Sequence, residues 1–160
     1  MASEGNEKVV VDLVQEADYR FRIEFGGIVR ALTGDEPPPL GGGQGPSPVQ
    51  LLAASVGSCL ADSLLFALRK YKQNPEPLSC TVQASVGRNP EGRLRVLGMN
   101  AVLTLGVAAK ELAHVERAVR QFEDFCTVTR SVGAAIPISV EVRDAGGEVL
   151  NQRDAVFGAH

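Results

Sequence analysis

Three cysteines, Cys59, Cys80 and Cys126, and two histidines, His114 and His160, are the residues of this 160-residue chain best suited to nucleophilic, redox or metal chemistry. A thiolate is at once a nucleophile, a two-electron reductant and a soft metal ligand. Spacing narrows the choice. The cysteines stand 21 and 46 residues apart without a C-x-x-C, and only His114 and His160 are available as imidazole ligands. No metal site and no cofactor is therefore expected. An odd number of cysteines is also a poor disulfide framework, so any disulfide here should be transient.

Each cysteine has a plain and a chemical reading. Cys59, in VGSCLADS, is either a small apolar core residue of a helix or a nucleophile, and Gly57 and Ser58 keep the preceding turn narrow enough for a close approach. Cys126, in EDFCTVTRSVG, sits where a helical pattern stops. It is either a packing residue or a thiol that meets another helix, and a helical turn through TVTRSV would favour its thiolate. Asp124 would raise its pKa and Arg130 would lower it. Cys80 alternates with Val82 and Ala84 at the period of a strand, which reads as core packing. His114 falls on the polar side of its helix and reads as solvated.

Two other motifs fail. GGGQG at residues 41–45 is not followed by Lys-Ser or Lys-Thr and does not leave a strand, so it is no phosphate cradle. Val56-Gly57-Ser58-Cys59 lacks the glycine spacing of a nucleophile elbow.

The elements that must position these residues read as βββ, long α, ββ, α, β, an α+β chain. The first 33 residues pattern as a three-stranded antiparallel meander: residues 9–14, then a strand alternating Tyr19, Phe21, Ile23 and Phe25 with charge, a Gly26-Gly27 hairpin, and Ile28 to Leu32. Residues 34–46, GDEPPPLGGGQGP, form neither ladder nor helix. Ser47 as N-cap and Pro48 at the first helical position start a helix that runs to about Lys72, ahead of Asn74-Pro75. Its apolar residues cover more than one stripe, which suits a central, buried helix with a second subunit against it. Residues 78–87 and 94–106 pattern as a hairpin, 108–123 as a helix with Leu112, Val115, Val119 and Phe122 on one face, and 136–143 as a last strand. Residues 151–160 read as a frayed tail of a single domain spanning 1–160.

Composition excludes some partners. With 16 Lys and Arg against 19 Asp and Glu, a net charge of −3, and no basic run, no nucleic-acid partner is expected. No apolar run approaches a bilayer span, and the start MASEGNEKVVVDLV is acidic where a signal peptide is basic, so a cytoplasmic protein without a membrane partner is expected.

GGGQGPSPVQLLAASVGSCLADSL, followed later by DFCTVTRSV, resembles the OsmC/Ohr family of thiol-dependent hydroperoxide reductases, most closely the OsmC-like branch whose helix starts Gly-Pro-Ser-Pro. The resemblance covers most of the chain. It implies an intertwined α+β homodimer with central long helices and two active sites at the interface. It further implies that Cys59 is the peroxidatic nucleophile and Cys126 the resolving thiol, that organic hydroperoxides are the substrates, and that an external dithiol, typically a lipoylated protein, is the reductant.

There are departures. The peroxidases usually carry Asn-Pro-Glu at the helix start, where this chain has Ser47-Pro48-Val49, and Gln50 points about 100° away around the helix. The loop holds no arginine, which leaves Arg30 as the candidate for the family's thiolate-holding Arg, and Thr127 follows Cys126 where the family commonly has Pro. The alternative reading is therefore a non-peroxidatic small-molecule-binding or redox-sensing dimer on the same fold.

Overall fold

β-Branched and aromatic residues near the N-terminus build a small antiparallel sheet in the order β1 (Asp12–Ala17), β2 (Arg20–Glu24), β3 (Leu32–Gly34). The computed structural model describes residues 6–27 and 29–154, so Ile28, expected in the third strand, lies outside the described residues. The meander is as expected, but its strands are shifted and β3 is short. β3 pairs with only Phe21, Arg22 and Ile23 of β2. Ile23 is accordingly buried, whereas Tyr19 and Phe25, beyond the reach of β3, stay exposed. Gly26 and Gly27 both take positive φ, yet β3 does not start until Leu32, so the turn is longer than the two-residue hairpin expected.

The Gly/Pro-rich segment is an ordered loop. The buried Asp35 carboxylate accepts the Gly42 and Gln44 amides at 3.2 and 3.0 Å, and the Asp35 amide donates to the Pro46 carbonyl at 3.1 Å. A Cβ at Gly45 would overlap the Thr33 carbonyl oxygen, and one at Gly41 the Glu36 carbonyl. These glycines serve a backbone packed on backbone.

α1 (Pro48–Lys70) begins as its residues dictate: the Gln50 amide donates to Ser47 Oγ and the Ser47 amide to Gln50 Oε1 at 2.9 Å, a reciprocal capping box. Arg69 and Lys70 occupy the last turn, where they complement the helix dipole. The chain divides into two compact units, residues 1–51 and 52–160.

In the second unit the sheet order is β4 (Ser79–Arg88), β5 (Leu94–Thr104), β6 (Ile138–Arg143), β7 (Val149–Arg153). β4 and β5 form the expected antiparallel hairpin, β6 lies parallel to β5, and β7 pairs antiparallel to β6. The tail expected to fray from residue 151 is thus paired through Arg153, and residues 155–160, with His160, lie outside the described residues. Val56, Leu60, Leu64 and Leu68, one i, i+4 stripe of α1, pack on Met99, Ala101, Leu103, Val140 and Val142. By length and composition α1 could cross a membrane, but this stripe is fully buried in the core. Phe66, on another face, is exposed, so within this chain the helix is buried along one side only.

The parallel β5–β6 pair requires a crossover. It is broken where one continuous helix was expected over 108–123. A 3₁₀ turn (Ala109–Glu111) is followed by α2 (Val115–Gln121), a second 3₁₀ turn (Phe122–Phe125) and α3 (Thr127–Gly133). The break falls at His114, whose φ of 59° is left-handed, while the Gln73 side chain accepts the neighbouring Ala113 amide at 2.8 Å. Val115, Ala118, Val119 and Phe122 still form one buried stripe.

Buried Asp144 ends β6. It accepts the amides of Ala109, Gly146 and Glu148, each at 2.9 Å, and these bonds hold its pKa below the ordinary aspartate value. A depressed folded-state pKa contributes stability that is present above the unfolded value and lost as pH falls through the folded one. Asp144→Ala should therefore lower the melting temperature at pH 7, and the gap from the parent should narrow progressively below about pH 4 in a thermal-melt series. A gap that is constant with pH would contradict this role.

Candidate active site

Cys59 stands midway along α1, half-buried, one turn before Ser63 on the same helix face. Gly57 lets that stretch of helix settle onto β4, since a Cβ there would come within 2.9 Å of Val82 Cγ2 and 3.4 Å of Cys80 Sγ. Cys80 is therefore a packing thiol under the helix, and burial pushes its pKa up.

Cys126 is fully buried at the junction between the second 3₁₀ turn and α3. Its amide donates to the Glu123 carbonyl at 3.1 Å, and its carbonyl accepts the Arg130 amide at 2.9 Å. Two distant stretches of chain meet here, for Cys59 packs against the core cluster that holds Cys126 and its thiol is near enough to act on the Cys126 pKa. Cys126 Sγ also lies 2.9 Å from Oγ1 of Thr129, itself buried.

The electrostatics of this pair differ from the sequence expectation. Residues 127–133 do form a helix, yet the Cys126 pKa is raised: burial is the main cause, the neighbouring Cys59 thiol adds to it, and the Thr129 hydroxyl and amide oppose it. Asp124 and Arg130, expected to act on Cys126, bear instead on Glu123. That carboxyl is buried, its pKa raised foremost by burial and lowered by its ion pair with Arg153 of β7. Sequence reasoning missed Thr129 and Glu123. Thr129 was findable, because three residues past Cys126 on a helix is a position that faces it, whereas the Glu123–Arg153 pair depended on β7 folding back.

An apolar groove lies between α1 and the segment that leads to Cys126. Phe125, adjacent to Cys126 in the chain, and Phe66, two turns past Cys59 on the same face of α1, are both largely exposed. They border a hollow of about 360 Å³ with Ala67, Tyr71 and Ala118, and Lys70 lines it as well. Asp62 and Ser63, the α1 residues between Cys59 and Phe66, line an adjoining hollow against the same two rings.

The remaining candidates lie elsewhere in the sequence. His114 is exposed, its ring 5.2 Å from that of Tyr71. In the N-terminal unit Arg30 is exposed, Val49 is half-buried, and the Gln50 side chain is committed to capping α1.

Among curated proteins none matches this chain. Solved structures do. An OsmC-like protein from Mycoplasma pneumoniae is similar at 15% identity, with a TM-score of 0.72 over 88% of this chain and 99% of that one. An organic hydroperoxide resistance protein OsmC from Legionella pneumophila is similar at 17% identity, TM-score 0.68, over 87% and 98%. The organic hydroperoxide resistance protein OhrB of Bacillus subtilis is similar at 17% identity, TM-score 0.66, over 86% and 98%. These likenesses establish the fold. The OsmC family profile, described as OsmC-like protein, matches residues 41–141, from the glycine-rich loop through both cysteines of the pair into β6, and on that match the chain belongs to the OsmC-like family.

Proposed function

We propose that the protein is a thiol-dependent peroxidase that reduces organic hydroperoxides, with Cys59 as nucleophile and Cys126 as resolving thiol. The observation that carries this reading is the proximity of the two thiols: half-buried Cys59 packs against the cluster that holds fully buried Cys126 and acts on its pKa, though the two lie far apart in the chain. The Cys59 thiolate attacks the O–O bond. Sulfur gives up two electrons and becomes a sulfenic acid, and the alkoxide leaves as alcohol after taking a proton. The Cys126 thiol then displaces the sulfenic oxygen as water, giving a Cys59–Cys126 disulfide that an external dithiol, such as a lipoylated protein, reduces by exchange. The Phe66–Phe125 groove suits the apolar part of such a peroxide. The organic hydroperoxide resistance named for the similar structures supports the same chemistry.

The working protein in this reading is a homodimer in a reducing compartment, the cytoplasm. Val9, Val10, Leu13 and Val14 at the N-terminus are exposed, as are Phe66 and Phe125, which is more apolar surface than a lone chain leaves to water without cost. Sedimentation equilibrium would report the mass.

Treatment of the reduced protein with one equivalent of tert-butyl hydroperoxide should consume two thiols per chain. Peptide mass mapping should place the new disulfide between Cys59 and Cys126, with Cys80 still free. Three intact thiols after treatment would overturn the reading. A second reading, a ligand-binding dimer without turnover, is favoured by Val49 standing where the peroxidases carry glutamate. It requires that an apolar ligand raise the melting temperature of the Cys59→Ser variant.

A further inference from the structure

A buried hydroxyl is costly unless it is hydrogen-bonded. Thr129 is 3% exposed, and among the described residues its hydroxyl oxygen has one partner, the Cys126 thiol, which donates to it at 2.9 Å. A neutral thiol is a poor partner, being both a weak donor and a weak acceptor. The same contact becomes a charge-assisted hydrogen bond once the sulfur is ionised. The arrangement is therefore worth most when Cys126 carries no proton, as it must when it attacks in the resolving step.

We infer that Thr129 is a third functional residue of the site: its hydroxyl donates to the Cys126 sulfur as that thiol is deprotonated and attacks oxidised Cys59. This rests on the peroxidase reading above. In the step, Cys126 sulfur forms the S–S bond, the S–O bond of the Cys59 sulfenic acid breaks, and the departing hydroxide leaves as water with the proton that Cys126 gave up. Thr129 supplies no proton to the products. It turns its O–H toward the sulfur while the negative charge resides there. The attack of Cys59 on the peroxide does not use it, so removing the hydroxyl should slow one step and leave the other unchanged. Among the described residues of this chain no cation bears on the buried sulfur: Arg130, four residues past Cys126, is exposed and bears on Glu123 instead.

Two measurements on the full-length protein test this. The first follows a tert-butyl hydroperoxide pulse with dimedone trapping and non-reducing mass spectrometry. Thr129→Val should form the Cys59 sulfenic acid at the parent rate and close the disulfide about tenfold more slowly, so that the trapped adduct accumulates. Thr129→Ser should restore closure. The second is an NMR titration of ¹³Cβ-labelled cysteine in the Cys59→Ser background, where Thr129→Val should raise the Cys126 midpoint by about one pH unit and Thr129→Ser should not. If the valine variant does not fold, Thr129→Ala carries both measurements. An unchanged closure rate and an unchanged midpoint would overturn the inference, as would failure of serine to rescue. Should no disulfide form in the parent protein, the peroxidase reading falls, while the titration still decides whether Thr129 serves the Cys126 thiolate.

Discussion

Cys59→Ser is expected to abolish hydroperoxide consumption, a loss of about a thousandfold or more, while leaving the fold intact. Serine matches cysteine closely in size, and Cys59 is half-buried at the edge of the core, so the substitution costs little packing. What it removes is the one atom that attacks the O–O bond, and a hydroxyl at neutral pH is a far weaker nucleophile than a thiolate. Cys126→Ser should behave differently. Its Cys59 still reduces one equivalent of peroxide and then stops as a sulfenic acid, or is rescued slowly by added thiol. A peroxide-consumption assay with dithiothreitol or dihydrolipoamide as reductant, run beside circular dichroism, separates the two variants. Equal turnover in Cys59→Ser and the parent would remove Cys59 from the mechanism.

Phe122→Ala should be the most costly single substitution for stability. Phe122 is fully buried in the cluster made by Val115, Ala118 and Val119 of α2 with the α1 stripe, and truncating such a ring costs about 3–5 kcal/mol. Against a total of about 5–15 kcal/mol that is a large fraction. The melting temperature should fall by roughly 10 °C. The effect reaches the site because Phe122 opens the 3₁₀ turn that presents Glu123 and leads to Cys126. A chemical denaturation series showing a loss below about 1 kcal/mol would mean that this ring is not the anchor described here.

Local rules account for much of what the residues revealed in advance. The start of α1 was legible at Ser47-Pro48 and its stop near Asn74-Pro75, because capping and proline geometry depend on neighbours in the chain. The β4–β5 hairpin was legible from two periodic runs around a polar turn. The crossover was not: Leu112, Val115, Val119 and Phe122 keep helical spacing across a break that only the left-handed His114 and the Gln73 side chain, forty residues upstream, impose. β7 was missed for a related reason, since VLNQR is a weak strand by composition and forms because β6 offers it an edge.

The site divides along the same line. Periodicity and capping were enough to set Cys80 aside as packing and to indicate an α+β fold, whereas Cys59 and Cys126 kept two readings each until the OsmC/Ohr resemblance of their motifs singled them out. The proximity of the two thiols, the burial that raises the Cys126 pKa against the pull of Thr129, and the diversion of Asp124 and Arg130 to Glu123 were decided only when the crossover folded back onto α1. Distances of a few ångströms between groups remote in sequence, and the loss of water around them, govern thiol chemistry, and neither quantity exists until the core has closed.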